Sequence, residues 1–130
     1  MSPAPFRLHE SVKLQKVQFS VDVLSFDGGV NACGYSKNGQ FIAVGGDDTK
    51  LTLFSSNGAK LFDKSHSSAV SSVSFSPDSE QVVTGCLDKV VRIFAVSTGE
   101  LIHELKGHAY VVNSVRFSPD GQMIASGAHD

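Results

Sequence analysis

His66 precedes Asp88 by 22 residues, and His108 precedes Asp130 by the same 22. A hydroxyl lies inside each interval, Thr84 in the first and Ser126 in the second. Histidine, hydroxyl and carboxylate are the groups of a nucleophilic triad, in which the imidazole takes the hydroxyl proton and the carboxylate orients the imidazole. The repetition argues against that chemistry. A catalytic centre needs one such set, whereas a trio recurring in successive sequence units belongs to a repeated structural feature. No nucleophile-elbow sequence accompanies either set. A repeated structural role explains both copies.

Other residues offer less. Gly45-Gly46-Asp47-Asp48-Thr49-Lys50 lacks the spacing of a phosphate-binding loop and the alternating acids of a calcium loop, and reads as a tight turn. His9 and His103 have no second ligand in view, so neither a metal nor a cofactor is expected. Arg92 reads as a strand residue whose stem packs along a sheet. The two cysteines, Cys33 and Cys86, read as small buried thiols and not as a disulfide pair, which suits a reducing, intracellular setting, cytoplasmic or nuclear. Eleven basic and 13 acidic residues are spread along the chain for a net charge of -2, so no basic face stands out for nucleic acid or anionic lipid. The opening MSPAPFRLHE has no apolar core of a signal peptide, and nowhere do 18 apolar residues run together, which argues against secretion and membrane spanning.

The elements that must position these groups follow from an internal repeat. From Ser67 to His108, four short apolar runs are punctuated by turns: Val73 and Phe75, then Val82 to Thr84, then Val90 to Phe94, then Leu101 to Leu105. Runs of that length bounded by Pro, Gly, Asp or Ser predict a four-stranded antiparallel meander. Shifted back by 40, Val73, Phe75, Val82, Gly85, Asp88 and Phe94 fall on Cys33, Tyr35, Ile42, Gly45, Asp48 and Phe54. Shifted forward by 42, Ser76-Pro77-Asp78 falls on Ser118-Pro119-Asp120, Thr84 on Ser126 and Asp88 on Asp130. Asn38-Gly39 and Asn57-Gly58 predict hairpin turns with positive φ at both central positions. Ahead of the repeats, Val17, Phe19, Val21 and Val23 alternate with other residues as in a half-buried strand, while residues 1–16, with Pro3 and Pro5, read as a poorly ordered leader.

Gly107-His108, the turn from Phe117 to Gly121, Ala125-Ser126-Gly127 before Asp130, and Val91-Arg92-Ile93-Phe94 resemble the WD-repeat family of β-propellers. The resemblance covers roughly residues 19–130. It implies an all-β partial propeller of four-stranded antiparallel blades, an open arc of about 11 strands. The expected division is a leader over 1–16, an outer strand over 17–24 like the family's ring-closing strand, repeats over 30–66 and 67–108, and an incomplete third over 109–130. Closed propellers use about 4 to 8 blades of roughly 40 residues, so 130 residues are read as a piece of a ring.

In the family, the histidine between blades hydrogen-bonds the turn aspartate, and a Ser or Thr and a Trp extend the network. The resemblance therefore implies a structural network of His66, Thr84 and Asp88 in one unit and His108, Ser126 and Asp130 in the next. Phe94 takes the tryptophan position without an indole N–H, so the network should stop at Thr84. The first unit keeps Asp48 but has Val44 for the hydroxyl, Phe54 for Trp and no histidine near Phe26 to Gly28. Family members bind proteins or peptides across one face. The positions that resemble their contact points are Asp47, Leu87 and His129, just before the turn aspartate, and Asn31, Ser71 and Asn113, at the start of each first strand. Tyr110 adds an apolar anchor with a polar tip. The expected function is a non-catalytic scaffold for protein-protein interaction in a multiprotein complex. The alternatives are a targeting module of a larger enzyme such as a ubiquitin ligase, or an incomplete piece that self-associates through open strand edges.

Overall fold

The computed structural model describes residues 11–15, 20–25 and 28–128. β1 (Ser11–Gln15) and β2 (Ser20–Ser25) form a hairpin. β3 (Val30–Tyr35), β4 (Phe41–Gly46), β5 (Lys50–Ser55) and β6 (Lys60–Ser65) form a first meander in chain order. β7 (Val70–Phe75), β8 (Gln81–Cys86), β9 (Val90–Ala95) and β10 (Leu101–Lys106) form a second. β11 (Val112–Phe117) and β12 (Ile124–Ala128) pair as the start of a third. The architecture is all-β, a partial propeller of antiparallel sheets. Among the described residues no helix is long and apolar enough to cross a membrane.

The described residues hold 12 strands where about eleven were expected, because β1 falls inside the span read as a leader. Val12 and Leu14 alternate there with Ser11, Lys13 and Gln15, a two-residue period that the nearby prolines masked. β2 accordingly has β1 as its partner. Val17 and Phe19 lie outside the described residues, as do residues 1–10.

The central strands are buried on both faces. Ile42 to Gly46 of β4, Leu51 to Phe54 of β5 and Val82 to Cys86 of β8 are continuous buried runs, which is why these segments read as apolar blocks rather than alternating patterns. The core lies between sheets. Ala43, Leu51 and Leu53 of the first sheet meet Val82, Phe94 and Val96 of the second. Val83, Val91 and Ile93 of the second meet Val112 and Val115 of the third. Each of the larger of these side chains, Val, Leu, Ile or Phe, contributes about 1.5–3 kcal/mol on burial, so stability resides in the contact between neighbours, as in repeat proteins generally.

Two repeated devices set that contact. Each first strand carries a one-residue bulge, where the ladder skips from Val30 to Ala32, from Val70 to Ser72 and from Val112 to Ser114. A bulge re-aims its side chain off the ladder. From the first bulge Asn31 Nδ2 donates to Val70 O in the next sheet at 3.1 Å, and from the second Ser71 Oγ donates to Val112 O. Second, the second strands carry a glycine where the next sheet crosses. A Cβ at Gly45 would lie 2.5 Å from Val70 Cγ1, and one at Gly85 2.9 Å from Val112 Cγ1. Only a glycine permits that approach.

The first hairpin turns differ from the expectation for Asn-Gly. Gly39 has φ 75°, but Asn38 does not enter the positive region; its Oδ1 instead accepts from Ser36 Oγ at 2.6 Å and Gln40 N at 3.0 Å. Ser76 with Asp78 and Ser118 with Asp120 repeat the arrangement. The side chain at this position is an acceptor cap, so the backbone needs positive φ only at the residue after it. In the second repeat that residue is Ser79, at φ 63°, and its Oγ accepts Asn38 N of the neighbouring sheet at 3.1 Å. Asn57-Gly58 likewise places only Gly58 at positive φ.

Candidate functional site

His66 sits in the connection from β6 to β7, held by its backbone N–H donating to Thr49 O at 2.7 Å. Its ring is buried among β8 and β9. Nε2 lies 2.9 Å from Thr84 Oγ1, and Nδ1 lies 3.1 Å from Lys64 O. A carbonyl only accepts, so Nδ1 carries the proton in the neutral ring and Nε2 accepts from the threonine hydroxyl. Burial, assisted by the charge of Arg92, pushes the His66 pKa below its ordinary 6.5, although the bond to Lys64 O and the Asp88 carboxylate oppose the shift. Phe94, in the tryptophan position, packs its ring against the imidazole at 5.6 Å between centroids.

The aspartate behaves otherwise than the family pattern implies. Asp88 does not hydrogen-bond His66. Its Oδ1 accepts Val90 N at 3.1 Å, closing the β8–β9 turn, and its Oδ2 takes the Arg92 guanidinium at 2.6 Å. Arg92 also approaches Glu104 Oε1 of β10 at 3.6 Å. Both side chains of the close pair are nearly buried, at 11% and 12% exposure. Burial raises the Asp88 pKa, but the hydrogen bond and the charge of Arg92 outweigh it and hold the carboxyl below its ordinary 3.8. Burial works against the Arg92 charge as well, and Asp88 restores it. The signal for this pair was present in the sequence as an acid and a base four residues apart across a turn. The guanidinium captures the carboxylate because two charged groups sharing a low-dielectric site gain more from each other than a carboxylate gains from a neutral imidazole.

The other units keep parts of the arrangement. His108 Nε2 lies 2.7 Å from Ser126 Oγ, repeating the His66–Thr84 bond. Asp130 lies outside the described residues. In the first unit Asp48 Oδ1 accepts Lys50 N at 3.1 Å, Val44 fills the hydroxyl position with a buried apolar side chain, and Thr52 stands where Arg92 would. Phe54 is buried there as Phe94 is in the second.

A triad would need a carboxylate at His66 Nδ1 and an accessible hydroxyl. Nδ1 faces a backbone carbonyl and Thr84 is 0% exposed, so the arrangement positions a loop and offers no nucleophile to a substrate. Among the described residues no group of His, Cys, Asp and Glu could hold a metal ion. Cys86 is buried, with Sγ donating to Ser68 O at 3.3 Å, whereas Cys33, expected to be buried, is exposed. Cys33 occupies the place of Val73, which packs over Gly45 of the preceding sheet, and no described sheet presents such a glycine to it.

The partner-binding candidates separate into two groups. Asn31 donates to Asp47 Oδ1 at 2.9 Å as well as to Val70 O, so these two residues bind each other, and Ser71 is spent on Val112 O. Leu87, Tyr110 and Asn113 remain exposed, Leu87 at 39% and Tyr110 at 58%. In a meander the turn after the second strand, the connection into the first and the exit from the fourth share one end, so Leu87 and Tyr110 lie on one rim. His129 lies outside the described residues.

The model of the WD domain, G-beta repeat, matches residues 20–55, 58–94 and 99–130. Each match begins in or just before a strand standing outermost or before its sheet (β2, β6, β10), so the sequence repeat is offset by one strand from the sheet. The chain is 38% identical over 71 residues to "Putative guanine nucleotide-exchange factor SED4" of Candida glabrata, covering 52% of this chain and 7% of that protein. It is 36% identical over 79 residues to Actin-interacting protein 1 of Drosophila melanogaster, covering 58% of this chain and 13% of that protein. The matched stretches are thus small parts of much longer relatives. With three matched repeats over most of its length, folded as successive antiparallel sheets, the chain belongs to the WD40 repeat family.

Proposed function

We propose that this chain is a non-catalytic scaffold that joins other proteins or peptides in a multiprotein complex, in the cytoplasm or nucleus. The observation that carries the reading is the shared rim of Leu87 and Tyr110, large side chains left exposed beside a tightly ordered turn network. A rigid rim with an aromatic anchor costs little conformational entropy on binding. The buried, carbonyl-bound His66 supports a structural role for the repeated sets of residues that resemble catalytic machinery.

A second reading, a targeting module within a larger enzyme, is favoured by the small share of each relative that this chain spans. The name of the Drosophila relative makes actin the first protein to test. In-cell cross-linking with mass spectrometry compares the chain with its Leu87→Asp/Tyr110→Ala variant, and co-sedimentation tests purified actin. Cross-links that map to the rim and vanish in the variant support the scaffold. An unchanged cross-link pattern refutes the rim as the binding surface.

A further inference from the structure

The end of the molecule opposite the Leu87–Tyr110 rim has a surface of its own. There the last residues of β3, β7 and β11 come side by side and line a groove of about 560 Å³, within the range that binds ligands of modest size, roughly 300–1,000 Å³. Each sheet contributes one aromatic ring at the same register position: Tyr35, Phe75 and Phe117. Tyr35 is 58% exposed, while the two phenylalanines are half-buried and present part of their rings.

The charge on this groove is one-sided. Lys37 and Arg116 both line it and both are exposed, and no Asp or Glu does. Among the described residues neither cation takes part in an ion pair. They stand on the first and third repeats, flanking Phe75 of the second. The chain as a whole carries a net charge of -2, so this local excess of positive charge is set against an acidic background. A neighbouring groove of similar size, beside Phe41 and Ile102, shows the contrast, since its ionisable lining residues are the acids Asp78 and Glu80.

We propose that the groove binds an acidic peptide segment carrying an aromatic side chain. Its carboxylates pair with Lys37 and Arg116, and its ring lies against Tyr35 and Phe75. Paired cations on either side of an aromatic row select both features together, because aromatic contact adds to area burial and charge complementarity rejects basic partners. Two cations on a chain of net negative charge are too few for a nucleic-acid backbone, whose binding proteins typically neutralise about 6–10 phosphates. The surface lies apart from the rim and uses none of its residues.

The test is fluorescence anisotropy with a short fluorescein-labelled peptide of Asp and Glu around one Phe, titrated with the full 130-residue chain. Companion probes carry Lys for every acid, Ser for the Phe, or are an oligothymidylate of similar length. The expected result is saturable binding of the acidic peptide, weakened by salt and by loss of its Phe. The Lys37→Glu/Arg116→Glu variant should bind roughly tenfold more weakly. Lys106→Glu, an exposed reversal outside the groove, and the rim variant Leu87→Asp/Tyr110→Ala should bind as the unaltered chain does. Matching far-ultraviolet spectra establish that the variants share one fold. Absence of binding, equal affinity in the double variant, or equal or tighter binding of the lysine peptide or the oligonucleotide overturns the proposal. Because the rim variant retains the groove, failure of one surface is distinguishable from failure of the other.

Discussion

The hydroxyl of Thr84 and Nε2 of His66 stand 2.9 Å apart, joining β8 to the loop that brings the chain from the first sheet into the second. With Nδ1 donating to Lys64 O, the neutral imidazole accepts the threonine hydroxyl at Nε2, and both ring nitrogens are satisfied without a buried charge. A proton added at Nε2 would displace the threonine hydroxyl as donor and place a charge in a buried site. The pair therefore locks the connection between sheets and makes it sensitive to acid.

Stability should fall as pH drops below the ordinary histidine value of 6.5. The folded state holds His66 at a depressed pKa, so below 6.5 the unfolded chain binds more protons, and stability declines until the folded ring also titrates. Arg92 strengthens the effect and Asp88 weakens it. Melting temperatures between pH 7.5 and 5 should decline more steeply in the unaltered chain than in His66→Gln, which removes the titration. Parallel slopes would show that His66 is not the group responsible.

Gly45, Gly85 and Gly127 share one register position but should respond differently to alanine. Added methyls at Gly45 and Gly85 meet the stiff branched side chains of Val70 and Val112, and overpacking of this kind costs about 1–3 kcal/mol. At Gly127 nothing lies within 4 Å, so the same change should be nearly neutral. Urea denaturation of the three single variants measures the difference, and equal losses at all three would contradict the close approach.

Asp88→Asn should destabilise by roughly 1–3 kcal/mol, because it leaves the nearly buried Arg92 with only the more distant Glu104, at 3.6 Å, as counter-charge. Asparagine retains an oxygen for Val90 N, which isolates the ion pair from the turn. Adding Arg92→Leu should recover much of the loss, giving a coupling energy above about 1 kcal/mol in a double-mutant cycle. Additive losses would mean that the two residues act separately.

Cys33 should react with a maleimide in the native state, and Cys86 only on unfolding. Cys33 is exposed, whereas burial raises the pKa of Cys86 and its thiol is engaged by Ser68 O. Mass spectrometry before and after denaturant reads one label and then two. Two native labels would show that β8 opens readily.

Much of the fold was legible because periodic turns and apolar blocks survive in a linear reading. The recurrence of Ser76-Pro77-Asp78 at Ser118-Pro119-Asp120, and of Val82 at Ile42 and Ile124, marks strands and hairpins through short-range chemistry alone. β1 escaped because its alternation, Val12 and Leu14, is brief and close to prolines. The candidate network was legible as a set of residues but not as a set of bonds. His66, Thr84, Asp88 and Arg92 were all in view, yet only their packing shows that the carboxylate chooses the guanidinium and leaves the imidazole to the threonine.

By itself, then, the sequence determined the repeat, the four-stranded unit and the family, since each depends on residues close together along the chain. Only the tertiary structure decided which bulged residues are consumed between sheets, which cysteine is exposed, and that Tyr35, Phe75 and Phe117 meet in one groove with Lys37 and Arg116. Those outcomes depend on contacts between residues some 40 positions apart, where distance and burial determine which partner each polar group takes.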